Sequence, residues 1–369
     1  MAERIHLGVL FGGRSGEHEV SLMSARSVLS VLDAQKYEVV QIGISHDGAW
    51  YSGEHVLEAL EAGSTDGLVP VVLLPEPGHN RLYARQDGSL TPFADVDVIF
   101  PVLHGTGGED GAVQGLLEMA GVAYAGSGVL GSAVGMDKAL FKDVMRANGL
   151  PVVPSLLITR RQIENDLDAA VEKCEDMADY PLFTKPANLG SSVGISRCAS
   201  RAELVAGLRE AARFDRRVIV EMGINNPVEI EASVLGNERL VCSLPGEIRP
   251  ADEFYTYTAK YMDDNTQLFV PADLPAEIIK QIRRLAIQAC RAADCAGMAR
   301  VDFLIEPVDY TIYIGEINTI PGFTRISMYP KLWEASGLPY RALIDRLIEL
   351  ALERKADQDR TERRFGRNV

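Results

Sequence analysis

The first strong pattern along the chain is a short, mainly apolar run, Ile5 to Phe11, that stops at Gly12-Gly13. A run of that length bounded by turn residues reads as a buried strand. Val20, Met23, Val28, Val31 and Leu32 follow near helical spacing, and Tyr37 to Ile44 makes a second strand-like run. Val96 to Leu103 is a third, closed by His104-Gly105-Thr106-Gly107-Gly108. Val113, Leu116, Leu117 and Ala120 fall at i, i+3, i+4 and i+7 and stop at Gly121, which predicts a helix. Strands alternating with helices predict a mostly parallel sheet with helices on its faces. This first α/β unit covers residues 1–126 and ends at Gly126-Ser127-Gly128.

The next stretch, residues 127–221, reads as α+β. A helix runs from about Met136 to Asn148, with Gly149 and Pro151 beyond it, and a long helix follows Arg161. Leu182 to Lys185 and Val193 to Arg197 are strands on either side of a glycine-rich turn. Ser200 and Glu203 form a capping-box pattern ahead of a helix to about Arg213, and Val218 to Glu221 is another strand. A third unit, residues 222–352, opens with Val228 to Leu235, where Glu229 and Glu231 alternate with Ile230 and Ala232, and Gly236-Asn237 marks a hairpin turn. Pro250 to Thr266 has no periodicity and predicts a long loop (250–267 as a segment), a length usually reserved for functional lids. Pro275 opens a helix, and Met298 to Glu306 and Thr311 to Asn318 are strands. Beyond Leu352 charges dominate, so 353–369 is expected to be a disordered tail.

Composition narrows the classes of function. The 369 residues suffice for two or three domains, and 37 Lys+Arg against 52 Asp+Glu leave a net charge of −15. An acidic shell repels phosphate backbones and anionic membranes, which argues against nucleic-acid and membrane partners while leaving a small anionic ligand open. The five cysteines (Cys174, Cys198, Cys242, Cys290 and Cys295) contain no C-x-x-C pair, so neither a disulfide framework nor a zinc site is expected. Their sparse use suits a reducing cytoplasm. Neither a signal-peptide layout nor an apolar run of about 20 residues occurs, and a soluble, cytoplasmic protein is expected.

The hairpin of Met298 to Asn318 carries the most chemistry. With its turn at Pro307 to Tyr310, Asp302 faces Glu316 and Arg300 faces Asn318. Period-two alternation then puts these four side chains on one face and Val301, Phe303, Ile305, Tyr313 and Ile317 on the other. Two carboxylates and an amide are hard oxygen donors suited to magnesium, which is usually held by a few carboxylates and substrate phosphates. A solvated face with Arg300 as ion-pair partner is the competing reading. Thr319-Ile320-Pro321-Gly322, with backbone N–H groups just beyond, favours a site.

Lys185 to Gly194 supplies a lysine, Ser191, Ser192 and two glycines between strands, a combination suited to triphosphate oxygens. The G-x-x-x-x-G-K-[ST] order is absent, so this is not the P-loop. Gly12 to Gly16 follows a strand and precedes a helix, where an anion would be attracted. Taken singly, Glu17 reads as a helix-start acid, His104 as a loop histidine and Lys138 as a solvated lysine. Glu221 and Glu229 could meet adenine or ribose hydroxyls, or water, and Lys260 and Tyr261 sit in the long loop.

Read together, Gly12 to Ser21, His104 to Gly111, Lys185 to Gly194, Ala259-Lys260-Tyr261, Ala299 to Asp302 and Glu316 to Thr324 resemble the motifs of the D-alanine–D-alanine ligase family, in order, from about residue 5 to about residue 350. The resemblance implies a three-domain ATP-grasp ligase with an N-terminal parallel-sheet domain. It implies ATP-driven joining of two D-alanines through an acyl phosphate, for peptidoglycan precursor synthesis. By similarity, Glu17 holds the first substrate's ammonium with His104 nearby, Lys138 and Lys185 reach phosphates under the Ser191–Gly194 loop, and Glu221, Glu229, Ser192 and Lys260 serve ATP. Asp302, Glu316 and Asn318 hold two Mg2+ or Mn2+ ions, with K+ a further candidate cation. Arg300 and the Gly322 N–H stabilise the tetrahedral oxyanion, Ser327 and Met328 meet the second substrate's carboxylate, and Ser191 and Tyr261 help take its amine proton. A homodimer is a family expectation.

Two positions depart from the family pattern: Glu221 is followed by Met222 where lysine is usual, and Thr184 replaces Val or Ile. Lys260-Tyr261 matches dipeptide-forming members. The nearest rival is a related ligase with D-lactate or D-serine as acceptor. A nucleotide-dependent oxidoreductase built on Gly12 to Gly16 leaves the Arg300–Asn318 face unexplained, and a non-catalytic nucleotide sensor would bind ATP without forming ADP.

Overall fold

The computed structural model describes residues 4–191, 193–249, 267–324 and 326–362. The predicted loop from Pro250 to Thr266, with Lys260 and Tyr261, lies outside the described residues, as do Ser192 and 363–369.

The apolar run at the start becomes β1 (Ile5–Gly12), at the heart of an eight-stranded sheet. The other members are β2 (Tyr37–Ile44), β3 (Trp50–Ser52), β4 (Val69–Leu73), β5 (Arg81–Gln86), β6 (Ser89–Asp95), β7 (Val98–Pro101) and β8 (Ala123–Tyr124), in the order β6-β5-β4-β3-β2-β1-β7-β8. Pairs β1–β2, β1–β7 and β7–β8 are parallel, as the alternating pattern predicts. From β2 outward to β6 every pair is antiparallel, an extension the sequence reading missed. Its strands are short or exposed, so they lack the apolar runs that mark the parallel part. Helices α1 (His18–Leu29), α2 (Val56–Glu61) and α3 (Ala112–Ala120) cover this sheet.

The predicted helix of Met136 to Asn148 is α5 (Lys138–Ala147), and a separate helix that the sequence reading did not name, α4 (Val129–Met136), precedes it. Asp137 between them is extended, and its side chain accepts from the Leu140 N–H at 2.9 Å, so it caps the second helix and ends the first. The expected long helix after Arg161 is split into α6 (Arg160–Asn165) and α7 (Leu167–Met177), with Asp166 capping α7. With α8 (Arg201–Phe214) these cover an antiparallel sheet ordered β11-β10-β12-β9, from β9 (Ser155–Thr159), β10 (Leu182–Pro186), β11 (Ser196–Cys198) and β12 (Arg217–Met222). The strand expected from Val193 is the shorter β11.

The third sheet runs β16-β15-β13-β17-β18, with β14 paired to β13. Its strands are β13 (Val228–Gly236), β14 (Val241–Cys242), β15 (Gly246–Arg249), β16 (Gln267–Phe269), β17 (Gly297–Ile305) and β18 (Ile312–Asn318). Gln267, counted with the long loop on sequence, begins β16. Helix α9 (Ala276–Ala292) packs on this sheet, and α10 (Met328–Ala335) and α11 (Tyr340–Gln358) follow.

The hairpin register is as predicted at the site end: Arg300 faces Asn318 and Asp302 faces Glu316. The register then shifts, because Phe303 faces Ile314 and Gly315 is the extra residue on β18. That bulge corrects one expectation. Ile312 and Ile314 enter the core with Ile317, and Tyr313 turns to the half-buried face.

The tail is also corrected. Helix α11 continues to Gln358, and its interior face joins Leu343, Leu347 and Ile348 to the core beneath β1. Beyond Leu352, the Arg354 guanidinium lies 4.1 Å from the Tyr124 ring centroid, and Gln358 donates to Glu118 at 3.1 Å. Over residues 353–358 the charges that suggested disorder form the helix's outer face and its bonds to the N-terminal sheet.

Candidate functional site

The faces of the second and third sheets opposite their helices, together with the loops after β1 and β7, enclose a cavity of about 420 Å³. That size suits a small-molecule ligand. Fourteen of the residues singled out on sequence line it: Glu17, His104, Lys138, Lys185, Ser191, Glu221, Glu229, Arg300, Asp302, Glu316, Asn318, Gly322, Ser327 and Met328. The other three, Ser192, Lys260 and Tyr261, lie outside the described residues.

One end is built by the N-terminal sheet. Glu17 occupies the cap position of α1 but makes no side-chain cap bond, so helix capping does not explain it. Its carboxylate is buried and accepts from the Ser191 hydroxyl. Two glycines make room for it: a Cβ on Gly105 would lie 2.5 Å from Glu17 Oε2, and one on Gly190 3.0 Å. Nearby, Glu109 accepts from the Gly105 N–H at 2.7 Å. Burial, and then the charge of Glu17, push its carboxyl up to about 8.

His104 is buried, with both ring nitrogens engaged. Burial lowers its pKa, so the imidazole is neutral near pH 7. Nδ1 faces the Ile320 carbonyl at 3.2 Å and must carry the proton, which leaves Nε2 to accept from the Ser24 hydroxyl at 3.0 Å. Ser24 Oγ in turn accepts from the Phe323 N–H at 3.3 Å. This chain holds the β18–α10 turn against the N-terminal sheet. Sequence reasoning missed Ser24, which falls in α1 among residues that look like ordinary helix filler.

The opposite end is basic. Lys138 is not solvated: Nζ donates to the Leu189 carbonyl at 2.9 Å and lies 3.6 Å from Glu316 Oε2. Lys185 Nζ lies 2.8 Å from Glu221 Oε2, and burial, which disfavours its charge, is outweighed by that carboxylate, so its pKa is raised. Glu221 is buried, yet Lys142 and Lys185 outweigh that burial and hold it down to about 2. Lys142 was missed. It stands four residues after Lys138, on the same helix face, and that spacing was the available signal.

Between these ends lies the hairpin face. Arg300 makes a two-point bond to Asp302, Nε and Nη2 each at 2.7 Å, and Nε is 3.0 Å from Glu231 Oε2. Asn318 donates to Asp302 at 3.0 Å. Glu231, also missed, pairs directly with Asp302 across β13 and β17. Among the described residues no three carboxylate, imidazole or thiol groups are grouped to hold a metal by themselves. The donor set here is two carboxylates and an amide on adjacent strands, hard oxygen chemistry that fits magnesium or manganese completed by phosphate oxygens. Beyond it, a Cβ on Gly322 would sit 2.7 Å from Ser327 Oγ, so a side chain there would make the turn or that hydroxyl shift. Ser327 is held by the Thr324 N–H at 3.0 Å.

Two antiparallel sheets closing on a cavity with lysines at one end and paired carboxylates between define an ATP-grasp ligase architecture. Family models described as D-ala D-ala ligase N-terminus and C-terminus match residues 6–127 and 144–349. The chain belongs to the D-alanine–D-alanine ligase family. It is 49% identical over 359 residues to the D-alanine–D-alanine ligase of Heliobacterium modesticaldum, covering 97% of this chain and 98% of the relative. Among solved structures it resembles the D-alanine–D-alanine ligase from Coxiella burnetii, with a TM-score of 0.84, 40% identity and 97% of each chain covered. It also resembles the VanG D-Ala:D-Ser ligase from Enterococcus faecalis, with a TM-score of 0.83, 35% identity, and 95% of this chain and 100% of that one covered.

Proposed function

We infer that this chain is an ADP-forming ligase that joins two D-alanines at the expense of ATP, for peptidoglycan precursor synthesis. The observation that carries the reading is the convergence of fourteen residues, selected by motif from distant parts of the sequence, on one cavity. The γ-phosphoryl group passes from ATP to the carboxylate of the first D-alanine, giving an acyl phosphate and ADP. The amine of the second D-alanine attacks that carbonyl, phosphate leaves, and the peptide bond forms. No protein nucleophile is needed, so the work is positioning and charge neutralisation.

In this reading Glu17 binds the first ammonium, and His104, whose ring nitrogens are committed to Ser24 and Ile320, shapes that subsite rather than exchanging protons. Lys138 and Lys185 neutralise phosphate charge, while Glu221, Glu229 and the backbone beside Met222 serve the nucleoside. Asp302, Glu316 and Asn318 would hold the divalent ions, which supply further neutralisation of phosphate charge. Arg300 and the Gly322 N–H stabilise the oxyanion, and Ser327 and Met328 receive the second carboxylate. From the resemblance, Ser191 and Tyr261 help take the amine proton, Ser191 through its hydrogen bond to Glu17; Ser192 and Lys260 are assigned to ATP on the same basis. Two Mg2+ or Mn2+ ions, K+ as an accessory cation, a homodimer and a cytoplasmic location belong to the same proposal. No described helix is long and apolar enough to cross a membrane.

Coupled measurement of ADP and dipeptide with magnesium and D-alanine tests this. Equal amounts of each are expected. Nucleotide binding without ADP would favour a sensor, and a change at the nicotinamide absorbance band would favour an oxidoreductase.

A further inference from the structure

Lys142 is a buried lysine, 1% exposed, that none of the roles above uses. It sits on α5 one turn beyond Lys138. Its Nζ lies 3.3 Å from Glu221 Oε1, on β12 of the second sheet, and donates to the Gly315 carbonyl at 3.3 Å, on β18 of the third. Gly315 is the bulge residue that precedes Glu316. One ammonium therefore touches both walls of the cavity: the carboxylate that pairs with Lys185, and the backbone that presents the metal-side carboxylate.

A lysine side chain carries substantial rotamer entropy and a strongly hydrated charge. Burying it is unfavourable unless each donor finds a partner. Here the partners are on two different sheets, so the side chain holds their separation. It also occupies the second oxygen of Glu221. With Oε1 so occupied, Oε2 alone receives Lys185, which fixes where that ammonium stands in the cavity. The other charges close to Lys142 are Lys185 and Glu316, both lining the same cavity.

We propose that Lys142 is a positioning residue for ATP: it braces Glu221, and through it Lys185, against the Gly315 bulge, and so sets the spacing between the nucleotide end of the cavity and the Glu316 carboxylate. The inference rests on the reading that Lys185 and Glu221 serve ATP.

The test compares Lys142→Met, Glu221→Gln, their double variant and Lys185→Met. Steady-state kinetics are read with ADP affinity by calorimetry and with thermal unfolding. Loss of a hydrogen bond to a charged partner predicts that Lys142→Met raises the KM for ATP and the Kd for ADP ~10-fold or more. The KM for D-alanine should stay near wild type and kcat at saturating ATP should fall far less. Because Lys142 acts through Glu221, the double variant should be no weaker than the worse single variant. Lys142→Gln, which keeps a donor without the charge, covers the case in which methionine prevents folding, and it should bind ADP between Lys142→Met and wild type. A lowered melting temperature with ATP KM and ADP Kd unchanged would overturn the proposal, as would fully additive losses. If Lys185→Met also leaves ATP binding unchanged, the underlying reading of the nucleotide end fails; if Lys185→Met weakens it and the Lys142 variants do not, only the bracing role fails.

Discussion

The Ser191 hydroxyl donates to Glu17 Oε1 across 174 residues of sequence, joining the turn after β10 to the start of α1. That bond ties the loop of the second sheet to the N-terminal unit at the cavity wall, and it links the residue assigned to the amine proton with the one assigned to the first ammonium. Ser191→Ala should lower kcat for dipeptide formation ~100-fold, the scale of a lost proton-transfer partner, with little change in the KM for ATP. Initial-rate kinetics varying each substrate check this, and an unchanged kcat would place the proton path elsewhere.

The hairpin face makes a metal prediction. Glu316→Gln should cut ADP release ~100-fold or more at millimolar magnesium, because a divalent ion contributes several kcal/mol of charge stabilisation. The thermal midpoint should remain near wild type, since Glu316 is half-buried on the cavity wall rather than in the core. Wild-type turnover at low magnesium would show that the metal assignment is wrong.

Gly322 offers a steric test. Adding a Cβ would place it 2.7 Å from Ser327 Oγ, so the turn or the hydroxyl must shift. Gly322→Ala should raise the KM for the second D-alanine and lower kcat by ~10-fold or more, because the shifted turn carries its N–H off the oxyanion position. Separating the two D-alanine constants in the rate data checks whether both steps respond.

Glu109 makes a pH prediction. Its folded pKa of about 8 lies above the ordinary value of 4.5. Between those values the folded carboxyl keeps a proton that the unfolded chain has released, so stability falls as pH rises through the window. Glu109→Gln removes that dependence. Relative to wild type, its melting temperature should gain between pH 5 and pH 8; no gain would show that the carboxyl ionises normally.

Much of the site was legible because its residues fall in short glycine-rich or alternating motifs whose order survives in the linear chain. The Arg300–Asn318 pairing followed from placing the turn at Pro307 to Tyr310, and the shared face from period-two alternation. The Gly315 bulge did not, because one extra residue leaves no mark on composition, and it moved Tyr313 off the core face. The antiparallel strands β3 to β6 were invisible for a related reason, their short or exposed segments lacking apolar runs. Lys142, Glu231 and Ser24 were missed because their significance is tertiary. Each looks like surface or filler until the two sheets and the N-terminal loops close around it. The helix through Arg354 was missed because a charged stretch reads as disorder when its partners, Tyr124 and Glu118, lie more than 200 residues away.

The acceptor in the proposed reaction is the amine of a second D-alanine. The most direct test is product analysis at neutral pH with ATP and magnesium, supplying D-alanine alone, D-alanine with D-lactate, and D-alanine with D-serine. Full ADP release and D-alanyl-D-alanine are expected with D-alanine alone, and the same dipeptide as the main product in the mixtures. Turnover that depends on D-lactate or D-serine, with little product from D-alanine alone, would contradict it.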